Sequence, residues 1–224
     1  MWRGAAPSPP EAFRARLAAE APRFGLGLSE VSLDQMARYL ALLDLSRRRT
    51  NLTGRLGPED LIAHALESAL GERLIPHGAE VIDIGSGAGF PGVPLAIVRP
   101  DIRVTPVEPR RKRVEFLRHV AEQVPVENLL APETGLRALA PGFAYVATAR
   151  AVGSVERLLA DARFLRPDGL FLAWTTDASS LARRLFPRFS LEEELPVPES
   201  RRKVIASFHR TGVHVPRGTE RKNG

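Results

Sequence analysis

With 224 residues, 44% of them hydrophobic, the chain can bury one substantial core. No stretch approaches the roughly 20 apolar residues of a membrane-spanning helix, so a cytoplasmic protein is expected. The absence of cysteine excludes disulfides, thiolate metal sites and a cysteine nucleophile, and the five histidines include no pair at metal-binding helical spacing, so no metal is expected either. Net charge is +6, and only Lys112, Lys203 and Lys222 of the 32 basic residues are lysine, a balance that fits either a polyanionic partner or a codon bias toward arginine.

From the N-terminus, Glu11 to Ala21 predicts a short helix stopped by Pro22. A longer one follows from Ser29, with Leu33, Met36, Ala37, Leu40, Leu43 and Leu45 at helical spacing, running through Arg47-Arg48-Arg49 to Asn51 and Thr53. Pro58 suits the first turn of a third helix, whose apolar side carries Leu61, Ile62, Ala65 and Leu66. Residues 1–76 therefore read as an N-terminal helical extension, and residues 77–224 as the core.

The core begins with the apolar strand Val81 to Ile84, then a glycine-rich turn, a helix over Pro91 to Val98 and a second strand over Ile102 to Val107. Arg110 to Gln123 predicts a helix. Leu129-Leu130, Ala144 to Ala149 and Leu170 to Trp174 predict further strands, with a helix over Ser154 to Phe164 between them. Strands alternating with helices imply parallel βαβ units, and hence an α/β protein with a Rossmann-like sheet covered on both faces. Phe189 to Leu195 and Lys203 to Phe208 predict a hairpin pair closing one edge.

The turn Asp83-Ile84-Gly85-Ser86-Gly87-Ala88-Gly89 sits between a strand and a helix, and Glu108 ends the next strand. That context lets backbone approach an adenosine-containing cofactor. A dinucleotide fingerprint counted from Gly85 would need glycine where Phe90 stands, and would seat a pyrophosphate on the helix N-terminus. S-adenosylmethionine carries no phosphate. Asp83, directly or through water, suits its ammonium, and Glu108 suits its ribose hydroxyls. The loop thus favours S-adenosylmethionine, with a nicotinamide-dependent oxidoreductase as the alternative.

Asn51-Leu52-Thr53, His64 with Ser68, Asp83 to Pro100 with its Gly-Phe-Pro-Gly-Val-Pro-Leu run, Lys112 to Leu117 and Arg150-Ala151 follow one order. In these the chain resembles the bacterial small-subunit rRNA guanine-N7 methyltransferases, also called glucose-inhibited division protein B. The likeness extends to the basic end over Pro216 to Lys222. The resemblance implies a class I methyltransferase fold and methylation of guanine N7 in the 530 loop of 16S rRNA, within the small ribosomal subunit. Gly85 and Phe90 match positions that contact S-adenosylmethionine, Leu136 and Arg137 match a pair bracketing the adenine, and Arg150 matches an arginine at the mouth of the site, suited to positioning. Gly87 and Gly89 complete the expected cofactor loop. Glu67 stands where the family usually has aspartate, the stretch Gly135-Leu136-Arg137 lacks a usual acid, and Trp174-Thr175 replaces a usual Lys-Gly. A catalytically silent rRNA-binding homologue is the reading those replacements would favour. Phe90, Arg150 and Trp174 are the candidates for stacking on a target base.

Overall fold

The computed structural model describes residues 8–47, 52 and 56–211. Arg48, Arg49, Asn51, Thr53 and the basic stretch 216–222 lie outside them.

Helix α1 (Pro10–Glu20) begins on a proline, as its fixed φ allows, and buries Phe13 and Leu17. The chain does not stop at Pro22 but tightens into a 3-10 turn, Ala21–Phe24. Helix α2 (Glu30–Arg47) buries Leu33, Met36, Ala37, Leu40 and Leu43 of the expected stripe, and with them Tyr39, while Leu45, two residues past Leu43 and so turned off that face, is exposed. Helix α3 (Pro58–Ala69) starts where Asp60 turns back to accept the Gly57 N–H at 2.6 Å, and buries Leu61, Ile62, Ala65 and Leu66.

The strands and helices of the core follow as β1 (Glu80–Ile84), α4 (Gly92–Val98), β2 (Arg103–Val107), α5 (Arg111–Gln123), β3 (Ala144–Arg150), α6 (Val155–Leu158), β4 (Leu165–Thr175), α7 (Ala178–Leu185), β5 (Phe189–Pro196) and β6 (Val204–Arg210). Among the described residues, six strands form one sheet in the order β2-β1-β3-β4-β6-β5. The first four run parallel, and β6 is antiparallel to both its neighbours. The late hairpin is present, with the later strand inside and β5 at the edge, where Glu192, Glu193 and Glu194 add charge along the strand.

Side chains alternate across the sheet as strand geometry requires. Val81, Val104, Val146, Leu172 and Ile205 face the core shared with α1 to α5, while Ile82, Ala147, Phe171, Ala206 and Phe208 face that of α6 and α7. Helices therefore cover both faces, and the N-terminal helices share their core with the sheet. No helix among the described residues is long and apolar enough to cross a membrane.

Three elements differ from the sequence reading. Leu129-Leu130 makes no strand: isolated bridges, Val104 to Leu129 and Val107 to Glu133, are all that pairs there. Pro125 and Pro132 flank this stretch, and each removes an N–H donor. The helix expected over Ser154 to Phe164 is one turn, α6, followed by a 3-10 turn over Leu159–Asp161. Helix α7 was not anticipated, although Asp177 caps it through the Ser180 N–H at 2.8 Å and Ala178, Leu181 and Leu185 form its buried face.

Leu66 has no exposed surface and joins α3 to the shared core. Leu66→Ala should lower stability by about 2–5 kcal/mol, the usual range for a leucine cavity. Urea unfolding checks this, with an unchanged m-value showing that the native fold persists.

Candidate active site

The site lies at the carboxyl edge of the parallel strands, where β1 turns into α4. Gly85 has φ 70°, and a Cβ there would stand 2.9 Å from a Val152 methyl. At Gly89, φ 104°, a Cβ would meet Val93 at 2.7 Å and the Tyr39 hydroxyl oxygen at 3.0 Å. Glycine is required at both by backbone conformation and by space. The Tyr39 hydroxyl in turn donates to the Ala88 carbonyl at 2.9 Å, fastening the loop to α2.

The loop's own N–H groups point inward. Those of Gly85 and Ser86 donate to the Val107 carbonyl, that of Gly87 to Glu108 Oε2, that of Gly89 to the Ser86 carbonyl and that of Gly92 to Asp83 Oδ2. A pyrophosphate needs such groups free at a helix N-terminus. The arrangement therefore does not suit a dinucleotide, and it suits an adenosine group without phosphates.

Asp83 is fully buried. Its Oδ2 accepts from Gly92 at 3.1 Å and its Oδ1 from the Thr148 hydroxyl at 3.0 Å. Burial pushes its carboxyl up to about 6, the nearby charge of Glu108 adds to the rise, and hydrogen bonding from Ser86, Thr148 and Gly92 opposes it. The side chain braces β1 against β3 and α4, so the direct ammonium contact expected of it is not open in this geometry.

Glu108 is also buried, yet it lines the cleft. It accepts the Gly87 N–H at 3.0 Å and the Arg110 N–H at 2.9 Å, one on each oxygen, which leaves each oxygen a further lone pair. The cleft, about 810 Å³, runs from Gly85 and Glu108 between the apolar walls of Val107, Leu136 and Val152. Acceptors for two hydroxyls at one end and apolar walls beside them fit a nucleoside. Of the residues singled out in the sequence, Gly85, Glu108, Leu136 and Arg137 line this cleft. Asp83, Gly87, Gly89, Phe90 and Arg150 are not among its walls. The mouth is basic: Arg110, Arg113, Arg137, Arg157, Arg163 and Arg188 line it, against the acids Glu108 and Asp161.

Beside the cleft, Glu67 on α3 gathers groups from four elements. Arg150 Nη2, at the end of β3, donates to its Oε2 at 2.7 Å, and Lys203 Nζ, just before β6, to its Oε1 at 2.6 Å. Trp174 Nε1, on β4, donates to the Glu67 carbonyl at 2.7 Å. Burial acts to raise the Glu67 carboxyl, but hydrogen bonds from His64 and Lys203 and the charges of Arg150 and Lys203 outweigh it and hold the group at about 2. Arg150 also donates from Nη1 to the His64 carbonyl at 2.9 Å and the Ser68 hydroxyl at 3.0 Å, contacts the His64 ring, and stands 5.9 Å from the Phe90 ring centre.

The structure thus unites His64, Glu67, Ser68, Phe90, Arg150 and Trp174, which are scattered in sequence. It corrects two expectations. Arg150 is no open stacking plane: it lies behind the cleft lining, with its terminal nitrogens engaged by Glu67, His64 and Ser68. Trp174 is no open stacking surface, because its ring lies where a Gly71 Cβ would be, 2.6 Å from that position. Sequence reasoning missed Tyr39 and gave Lys203 no role in the site, only the start of a late strand. The ammonium of this group arrives from Lys203 across the β4–β6 pair, not from position 174. Among the described residues no group of three histidine, aspartate or glutamate side chains is placed to hold a metal.

A doubly wound sheet with a nucleoside cleft at the ends of β1 and β2 defines a Rossmann-like methyltransferase. The chain belongs to the rRNA small subunit methyltransferase G family, whose profile matches residues 32–182. It is 38% identical over 194 residues to the ribosomal RNA small subunit methyltransferase G of Halorhodospira halophila, covering 84% of this chain and 92% of that one. To the Streptomyces avermitilis protein of the same name it is 30% identical over 210 residues, covering 90% and 82%. The solved structure of the B. subtilis tRNA methyltransferase TrmK shares the fold, with TM-score 0.54 and 17% identity over 66% of this chain and 64% of that one.

The raised Asp83 carboxyl has a signed consequence. Between the unfolded value of 3.8 and about 6 the native state keeps a proton that the unfolded chain has released, so this group subtracts stability as pH rises through that window. Asp83→Asn removes the titration. Its stability relative to wild type should improve by about 2–3 kcal/mol between pH 4 and pH 7.5. Paired urea titrations at those pH values test this, and a pH-independent difference would mean the carboxyl stays ionised throughout.

Proposed function

We propose that the protein methylates N7 of a guanine in the 530 loop of 16S rRNA, presented within the small ribosomal subunit. The observation that carries this reading is the cleft itself: it offers Glu108 and apolar walls, the N–H groups of Gly85, Ser86, Gly87 and Gly89 are already taken within the fold, and six arginines line it. Bound S-adenosylmethionine would supply a methyl on a sulfonium, an electrophile that an unprotonated ring nitrogen attacks without a general base.

The residues then have positioning work. Glu108 would accept the ribose hydroxyls, Leu136 and Arg137 would flank the adenine, and Gly85 would let the backbone approach. Asp83, Gly87 and Gly89 would act on the cofactor by holding the loop's shape. Phe90, set between Tyr39 and His64 at ring-centre distances of 5.6 and 5.9 Å, would wall the methyl-transfer side, with Arg150 fixed behind it. Catalysis by such a site rests on alignment in a dry pocket. The arginines at the mouth would attract the RNA backbone, while specificity for one base comes from RNA shape and an unstacked target. We read residues 1–76 as a helical extension packed on the core and residues 77–224 as that core.

Tritiated methyl transfer to small subunits, naked 16S rRNA and a small-molecule panel tests the reading; label in 7-methylguanosine from RNA is expected. Cofactor bound normally with no transfer to any RNA would favour the silent homologue. Glu108→Ala should weaken S-adenosylmethionine binding by about 1–3 kcal/mol, the cost of buried polar groups left unpaired. Calorimetry measures this, and an unchanged dissociation constant removes Glu108 from the cofactor site.

A further inference from the structure

We propose that Lys203 is the residue of the active face that anchors an RNA phosphate next to the target nucleotide, with Glu67 as the group that aims it. This rests on the RNA methyltransferase reading and adds a residue that the sequence motifs do not single out.

Two cations meet at Glu67, and they are not equivalent. The Arg150 side chain is 13% exposed, and its two terminal nitrogens donate to the Glu67 carboxylate, the His64 carbonyl and the Ser68 hydroxyl besides touching the His64 ring. Swinging it toward a ligand would leave a buried carboxylate without its partner, which is costly. Arg150 is therefore a fixed internal brace. Lys203 is 45% exposed, and only one of its three N–H donors is taken, by Glu67 Oε1 at 2.6 Å. The other two are available without breaking that bond.

The charge count points the same way. One carboxylate faces one guanidinium and one ammonium, so these three groups carry an uncompensated positive charge, and the exposed ammonium is where it meets solvent. An ammonium is a compact point charge suited to a single phosphate, in a chain whose other basic groups are almost all arginine. The position is also fixed. Lys203 precedes β6, whose Val204 pairs with Thr175, and the adjoining Trp174 is pinned by its bond to the Glu67 carbonyl. Arg150, on the other side of Glu67, abuts Phe90. The cluster thus spans from an aromatic ring at the cofactor loop to an exposed cation. A nucleotide held by its base at the ring and by its phosphate at the cation would be fixed at two points.

The test compares wild type, Lys203→Ala and Lys203→Arg in methyl transfer to small subunits, in RNA binding as a function of salt, in S-adenosylmethionine titration and in thermal unfolding. Lys203→Ala should raise the KM for the RNA substrate roughly tenfold with kcat little changed, and should reduce the slope of log K against log salt by about one, the signature of one lost phosphate contact. Cofactor affinity should hold, Tm should fall only modestly with the loss of the Glu67 bond, and Lys203→Arg should recover most of both losses because it keeps the charge. An unchanged slope and KM would overturn the proposal, as would a fall in Tm and kcat with the slope intact, which is what a purely structural pair would give. Wild type that binds RNA but transfers no methyl would sink the methyltransferase reading instead, and the salt slopes would still decide Lys203.

Discussion

The carboxylate of Asp83 ends β1 with no access to solvent, so its lone pairs must be met by donors that the fold brings to it. Those donors are the Gly92 N–H at the start of α4 and the Thr148 hydroxyl on β3. Each imposes a condition on the chain. Position 92 has to be glycine, because a Cβ there would lie 2.8 Å from Asp83 Oδ2. Strand β3 has to pair beside β1 in the register that sets Thr148 opposite Asp83. With those conditions met, the loop turns its amides inward, the Gly87 N–H reaches Glu108, and the cleft opens between the ends of β1 and β2. The cofactor preference of the site is thus a consequence of how a buried anion is accommodated.

A second buried carboxylate gives the contrasting case. Glu67 is held at about 2 because two cations and a histidine surround it, whereas Asp83, with neutral donors and a neighbouring anion, rises to about 6. Burial acts on both, and charge neighbours decide the sign. Neither is arranged as a general base toward an open pocket, which agrees with a nucleophile that carries no proton. The structural role of each is to hold another part still: Asp83 the loop, Glu67 the guanidinium of Arg150 and the ammonium of Lys203.

Much of this was legible in the sequence for local reasons. The apolar run Val81 to Ile84, the glycine turn and Glu108 at the end of the next strand are short-range signals, and the observed β1, α4 and β2 follow them closely. The stretch around Leu129-Leu130 misled because two apolar residues suggest a strand, while the prolines on either side limit its pairing. Helix α7 was overlooked although Asp177 is a recognisable cap, since its apolar positions are few. The Glu67 cluster was beyond reach. Its members were noted one by one, but the bond between Glu67 and Lys203 joins residues 136 apart, and no local pattern encodes a contact of that length. Nor does sequence reveal that Arg150 has its terminal nitrogens engaged; that is a property of its neighbours.

The place of β6 has a consequence for how the molecule comes into being. This strand is late in the chain yet lies inside the sheet, between β4 and β5, and it carries in the segment that begins with Lys203. A protein emerging from the ribosome from its N-terminus can pack α1 to α3 and pair β1, β2 and β3 early. It cannot complete the interior of its sheet until β6, the last strand among the described residues, has been made. Contacts spanning that much chain close slowly, because the loop entropy is lost before the strand pairing compensates for it. Glu67 and Arg150 can meet earlier, but their ammonium partner arrives only once residue 203 has been made. An incomplete chain would accordingly carry a recognisable cofactor loop and an unfinished surface beside it.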